Sequence, residues 1–215
     1  STRPGAHPVP AAEEIDRIRP VIAAARGFAA ISVDTRKAGV ARAALAAGAG
    51  MVNDVSGLDF DPALSGVVAD AGAPICLMHA QGIPETMQDN PSYGDVLLDV
   101  YDALAERIAR AASAGIPAAR IVIDPGIGFG KTEAHNLAIL RRISLFHGLG
   151  CAVLLGVSRK RFIGSIGNAP DATGRFAGTL AVTLAGIAQG IQIHRVHDVA
   201  QTRQGIALWR AVTRR

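Results

Sequence analysis

Six short apolar runs, each followed by a longer stretch with helical periodicity, constrain this chain more than any other feature of its sequence. The runs lie at residues 30–34, 51–55, 74–79, 120–124, 152–157 and 191–196, and they read as near-continuous rather than alternating. A strand with one solvated face alternates apolar and polar residues; a strand covered on both faces of a parallel sheet does not. Strand then helix, six times over, predicts parallel βαβ units joined by right-handed crossovers.

The helical stretches carry their own punctuation. Asp61-Pro62 offers an N-cap and a first-turn proline, and Gly72 closes that helix. Val96, Leu97, Val100, Leu104, Ile108 and Ala111 form one apolar stripe, ended by Gly115 with Pro117 beyond. Asp198 is placed to cap a last helix running to about Val212. A first helix at residues 13–26 contains Pro20, which should kink it or mark its true start.

A doubly wound sheet and a barrel both fit this alternation, and the polar residues decide between them. Asp34-Thr35-Arg36 follows the first run, Asn53-Asp54 ends the second and His79 ends the third. Asp124 leads into Pro125-Gly126 after the fourth, Ser158-Arg159-Lys160 follow the fifth, and Arg195, His197 and Asp198 close the sixth. A doubly wound sheet concentrates its site at one crevice where the strand order reverses. A barrel gathers strand ends from all round one face, so polar groups at every carboxyl end favour the barrel.

Composition narrows the function classes. With hydrophobic residues at 49% and a net charge of +4, the chain can bury a core, and disorder is excluded. No run of 18 apolar residues crosses a membrane, and the start does not resemble a signal peptide. Cys76 and Cys151 sit inside apolar runs and read as reduced core residues of a cytoplasmic protein. The basic balance comes from 19 Arg against 3 Lys, with most Arg in predicted helices (Arg17, Arg19, Arg107, Arg110, Arg141, Arg142), which reads as solvated helix faces. No basic run is interleaved with aromatics, so no nucleic-acid partner is expected. The lysines, Lys37, Lys131 and Lys160, each follow closely on a predicted strand.

The segment Gly126-Ile127-Gly128-Phe129-Gly130-Lys131-Thr132 is not a phosphate loop, because that pattern needs Gly where Pro125 stands. A dinucleotide fingerprint also fails, since Lys131 occupies its third glycine position. These glycines instead suit a tight loop that approaches a ligand with its backbone. Asp34, Asn53 and Asp124 are short polar groups on buried strand ends, where an unpaired carboxylate is costly. A flat heterocycle with an amidine-like N–H edge would satisfy them, through two parallel bonds to one carboxylate. Lys160, Arg195 and His197, on the later strands, suit anionic oxygens of a phosphate-like leaving group.

Seven segments in order, spanning the chain, resemble the dihydropteroate synthase family, the folate-pathway enzymes that sulfonamides inhibit. They are Ser1-Thr2-Arg3-Pro4-Gly5-Ala6, Ser32-Val33-Asp34-Thr35, Asn53-Asp54-Val55-Ser56-Gly57, Leu77-Met78-His79, Asp124 through Lys131, Ser158-Arg159-Lys160 and Arg195-Val196-His197-Asp198. The resemblance implies an α/β fold, a (β/α)8 TIM barrel, here represented by about six parallel strands and their helices. It implies a transferase that joins p-aminobenzoate to the pterin of 7,8-dihydropterin-6-ylmethyl diphosphate with Mg2+, releasing diphosphate.

Residue by residue, Asp34, Asn53, Asp124, Lys160 and Arg195 match positions that hold the pterin, with Val55 and Met78 as apolar neighbours of its ring. Thr2, Arg195, Val196 and His197 match diphosphate contacts. Arg3, Pro4, Phe129 and Ser158 match the p-aminobenzoate side, and Lys160, Arg195 and His197 the catalytic positions. The family's first strand, its loop with a metal-binding Asn and most of its second strand have no counterpart here, so no residue is assigned to the metal. Residues 1–215 are accordingly expected to be one N-terminally incomplete barrel domain, with roughly 50–60 residues missing upstream. A homodimer through the last helices is implied as well. A pterin-binding methyltransferase of corrinoid pathways shares the barrel but needs no diphosphate site, and a catalytically silent pterin-binding homologue is the remaining alternative.

Overall fold

The computed structural model describes residues 8–82 and 86–213. In chain order the elements are α1 (Ala11–Ala25), β1 (Ser32–Asp34), α2 (Ala38–Ala47), β2 (Met51–Asp54), α3 (Leu64–Asp70) and β3 (Ile75–Met78). There follow α4 (Val96–Ser113), β4 (Ile121–Asp124), α5 (Glu133–Arg141), β5 (Ala152–Leu155), α6 (Arg161–Ile166), α7 (Phe176–Ala188), β6 (Ile193–His194) and α8 (Val199–Thr213). All six expected strands are present, each shorter than its apolar run: β1 and β4 at the amino end, β2 and β5 at the carboxyl end, β3 and β6 at both.

The strands are parallel and lie in the order β1-β2-β3-β4-β5-β6. A doubly wound sheet reverses its order at a switch point, and this one never does. It also curls. Laid flat, five strand spacings would separate the edges by roughly 24 Å. Instead the Arg195 guanidinium, just past β6, stands 4.0 Å from an Asp34 oxygen at the end of β1. The helices cover the convex side, as in a (β/α) barrel wall.

Register sorts the side chains. Ser32 pairs with Met51 and Asp34 with Asn53; Asn53 pairs with Cys76, Cys76 with Val122, Val122 with Ala152, and Leu154 with Ile193. Alternate residues share a face, so this set lines the concave side. Cys76, Val122 and Leu154 pack there with Met51, Ala152 and Ile193 into a small inner core. Val33, Val52, Ile75, Leu77, Ile123, Val153 and Leu155 point outward into a larger core shared with the helices. Ala41 and Ala44 are fully buried on α2, and such small residues let that helix approach the sheet closely. Both cysteines are buried and free, and burial pushes their thiols up in pKa. No described helix is long and apolar enough to cross a membrane.

Several local expectations need correction. Pro20 does not mark the start of α1, which begins at Ala11 and includes it; Pro20 is exposed, and Pro10 precedes the first turn. Asp61 does not cap α3, which begins at Leu64. Its carboxylate accepts from Ala63 N at 3.1 Å in the preceding turn and from Ala38 N at 2.8 Å, at the start of α2. Asp198 precedes α8, but its carboxylate is held by Arg159 rather than by helix amides. Arg107 is not on a solvated face: it is 7% exposed within the α4 stripe and bonded to Asp59 at 2.7 Å. The α4 stripe otherwise stands, capped by Asp95, which accepts from Leu97 N and Leu98 N.

Candidate functional site

Continuing the concave face one step beyond the inner core places Asp34, Asn53, Met78 and Asp124 on neighbouring strand ends, with Lys160 and Arg195 on the loops after β5 and β6. Asn53, Asp34, Arg195 and Asp124 form one connected set. Asn53 Nδ2 donates to Asp34 Oδ1 at 2.7 Å. Asp124 Oδ1 accepts from Gly126 N at 2.8 Å, and its Oδ2 lies 3.7 Å from the Arg195 guanidinium. Arg195 therefore spans the cup between Asp124 and Asp34. Gly156 makes room for it, since a Cβ there would stand 3.0 Å from the guanidinium. The Arg195–Asp34 contact is solvated and adds little.

One buried acceptor in this corner lacks a donor, and a second group, the Asp124 carboxylate, has an oxygen held only by its ion pair with Arg195. Asn53 is 3% exposed, and its Oδ1 accepts no hydrogen bond. Asp124 is 2% exposed, and burial raises its carboxyl pKa against the pull of Arg195 and the Gly126 amide. A buried acceptor without a donor costs about 1–3 kcal/mol, so Asn53 Oδ1 suits a ligand that brings an N–H group, and the Asp124 carboxylate can accept a further one.

On the other wall Lys160 Nζ donates to Ile127 O and lies 4.1 Å from the centre of the Phe129 ring. Burial lowers Lys160 to a pKa of about 8, although Asp124 opposes that shift. The loops after β5 and β6 are joined at the rim. Ser158 Oγ accepts from His197 N at 3.1 Å and stands 2.8 Å from His197 Nδ1, while Arg159 holds Asp198 with two bonds at 3.1 and 2.6 Å. Arg159 has φ +59°, a left-handed conformation sustained because Thr179 accepts from its N–H and Arg175 donates to its carbonyl.

The structure thus brings together Asp34, Asn53, Met78, Asp124, Lys160 and Arg195, with Phe129 leaning in from the loop after β4. Ser158 and His197, expected to serve different substrates, are in direct contact. His197 is exposed and Val196 half-buried beside Arg195. Val55, Met78 and Phe129 line a cavity of about 160 Å3 together with Arg36 and Phe60. Thr2, Arg3 and Pro4 lie outside the described residues. Among the described residues no group of three or more His, Cys, Asp or Glu side chains could hold a metal ion.

Sequence reasoning passed over the pair Arg159–Asp198 and the brace Arg175. The first was legible only as motif residues; the second carried no signal, since its partners are backbone carbonyls of Ala169, Pro170 and Arg159.

A cup of carboxylates and cations at the carboxyl ends of a curled parallel sheet defines the active-site face of a (β/α)-barrel enzyme. Over residues 1–197 the chain matches the family described as pterin binding enzyme, and it belongs to that family, on its dihydropteroate synthase branch. It is 44% identical over 216 residues to a dihydropteroate synthase of Synechocystis sp., covering 98% of this chain and 75% of that protein. Among solved structures it is similar to Xanthomonas albilineans dihydropteroate synthase with 4-aminobenzoic acid (TM-score 0.93, 44% identity, 100% of this chain and 77% of that one). It is also similar to the Yersinia pestis dihydropteroate synthase in a sulfonamide drug complex (TM-score 0.94, 40% identity, 99% and 77%). The family match and these relatives agree with the family expected from the seven ordered segments.

Proposed function

We propose that this chain condenses 7,8-dihydropterin-6-ylmethyl diphosphate with p-aminobenzoate, yielding 7,8-dihydropteroate and diphosphate, and that sulfonamides compete for the p-aminobenzoate side. The observation that carries this reading is the floor of the cup, where the buried Asn53 Oδ1 accepts no hydrogen bond and the Asp124 carboxylate keeps Oδ2 3.7 Å from the Arg195 guanidinium. The N–H edge of a pterin supplies the donor that Asn53 Oδ1 lacks and a further one for the Asp124 carboxylate. Arg195 lies over that edge between two carboxylates and offers a planar cation for the ring's face. Lys160 adds a donor from the opposite wall, and Met78 and Val55 supply apolar contact. Asp34, which already accepts from Asn53, fixes the Asn53 amide so that its oxygen faces the ligand.

The reaction breaks the bond between the pterin methylene carbon and the diphosphate oxygen, the electron pair leaving with diphosphate. The amine nitrogen of p-aminobenzoate then bonds to that carbon and sheds a proton. No enzyme nucleophile is needed. The protein contributes alignment and charge: Lys160, Arg195 and His197 face the departing anion, and Ser158 sets the His197 ring through the 2.8 Å contact. Phe129, Ser158 and the Arg3-Pro4 segment receive p-aminobenzoate in this reading, and Thr2 and Val196 border the diphosphate. Magnesium would accompany the diphosphate, and a homodimer in the cytoplasm is the expected working form. Incubation with both substrates should give dihydropteroate by mass spectrometry and none when p-aminobenzoate is omitted. Pterin binding without product would instead mark a silent homologue.

A further inference from the structure

Lys131 is the one lysine of the three that touches neither the cup nor solvent. It is 2% exposed, and no carboxylate lies within hydrogen-bond distance of it among the described residues. A buried ammonium without an acid partner is costly, and the acceptors around it indicate its use. Nζ donates to Gly126 O at 3.0 Å and to Phe129 O at 3.1 Å, and it stands 2.9 Å from His79 Nδ1. Gly126 O also accepts from Phe129 N at 3.1 Å, so both ends of one turn converge on the same amine.

The rest of the loop is held from outside. Ile127 O accepts from Lys160, Gly128 O from Gln88 at 2.8 Å, and Gly130 O from Tyr93 at 2.7 Å. Every carbonyl from 126 to 130 therefore has a donor, and Lys131 supplies the two that face inward. Gly126 presses against the same anchor, because a Cβ there would lie 1.8 Å from His79 O. From this arrangement we infer that Lys131, seated on His79, is a positioning residue that fixes Phe129 for the amine substrate. The inference rests on the reading of Phe129 as part of the p-aminobenzoate side.

The groups facing Lys131 favour this use over acid–base work. His79 comes from the end of β3, Arg107 from α4, Asp124 from β4, Lys160 from the loop after β5, and the Tyr93 ring centre lies 6.0 Å away. Burial first, then the nearby cations, lower His79 to about 2, so it is a neutral acceptor throughout the working range. Burial lowers Lys131 to about 7. Losing that proton leaves two N–H donors for the two loop carbonyls, and the freed lone pair can accept from Nδ1–H once the His79 tautomer changes. The brace thus survives titration.

Steady-state kinetics on purified wild type, Lys131→Met, His79→Leu and His79→Asn, alongside calorimetry with a pterin analogue, tests the idea. Asn keeps an acceptor near the Nδ1 position; Leu removes it. The expectation is a KM for p-aminobenzoate raised at least 10-fold in K131M and H79L, near wild type in H79N, with pterin affinity changed less than 3-fold in all. A loss confined to apparent kcat at unchanged KM would mean mere loss of folded protein and would overturn the inference. So would a wild-type KM in a folded K131M. If K131M does not fold, the H79L and H79N pair decides, and equal KM values for the two overturn it. Failure of wild type to make dihydropteroate at all would sink the functional reading instead.

Discussion

Replacing Asp124 by Asn separates recognition from folding, because the two should move in opposite directions. The substitution preserves volume and the Oδ1 that accepts from Gly126 N, so the turn after β4 stays intact. What changes is Oδ2, which becomes an N–H donor facing the ligand's own N–H edge. A hydrogen bond to a charged group contributes about 1.5–3 kcal/mol, and an unpaired buried donor costs about 1–3 kcal/mol more. Together these predict a loss of about 3 kcal/mol or more, which is at least ~100-fold in Kd for a pterin analogue. Stability should not fall with it. Burial raises the Asp124 carboxyl above its ordinary value, so at neutral pH the folded chain bears the cost of a desolvated charge that the unfolded chain does not. The neutral amide of the D124N variant removes that cost, and the melting temperature should hold or rise. Calorimetry and thermal melts on the same preparations read both quantities. Near-native pterin affinity, or a collapse of stability with affinity, would refute the reasoning.

Other perturbations have equally definite outcomes. Gly126→Ala puts a Cβ 1.8 Å from a backbone carbonyl at φ +70° and should destabilise by more than about 2 kcal/mol, measured by urea unfolding. His197→Ala should weaken the pterin diphosphate more than a pterin lacking phosphates, and equal losses by calorimetry would remove His197 from the anion site. Lys160, lowered to about 8 by burial, loses its charge as pH rises through that value, so diphosphate binding should weaken above pH 8 in wild type but not in Lys160→Met. Its depressed pKa also means the folded chain binds fewer protons than the unfolded one above about pH 8. Wild-type stability should therefore gain on that of K160M between pH 8 and 10.

The barrel wall was readable because the central strands, β2 to β5, are covered on both faces, whereas β1 leaves Ser32 and Asp34 exposed. Continuous apolar runs such as residues 120–124 and 152–157 have no other use in a chain of this composition. Polar residues at the carboxyl ends then located the cup, and period-2 geometry carried Asp34, Asn53 and Asp124 to its concave side. What stayed hidden depends on contacts distant in sequence. Asp61 reads as a helix cap but bonds Ala38, 23 residues away, and Asp198 reads as a cap but is taken by Arg159, 39 residues away. Arg107 looks solvated in a one-dimensional pattern, yet the loop carrying Asp59 folds over it. Lys131 gave no sign of its role, because its partners are main-chain carbonyls created by the fold of the glycine loop itself.

The central claim is that the acceptors at the floor of the cup read the pterin edge, and a crystal structure with a bound pterin analogue tests it most directly. The account predicts ring N–H groups within 3.2 Å of Asp124 Oδ2 and Asn53 Oδ1, with the Arg195 guanidinium over the ring and Lys160 turned from Ile127 toward it. A ring bound elsewhere, for instance in the cavity beside Arg36 and Phe60 with Asn53 Oδ1 still unpaired, would contradict it.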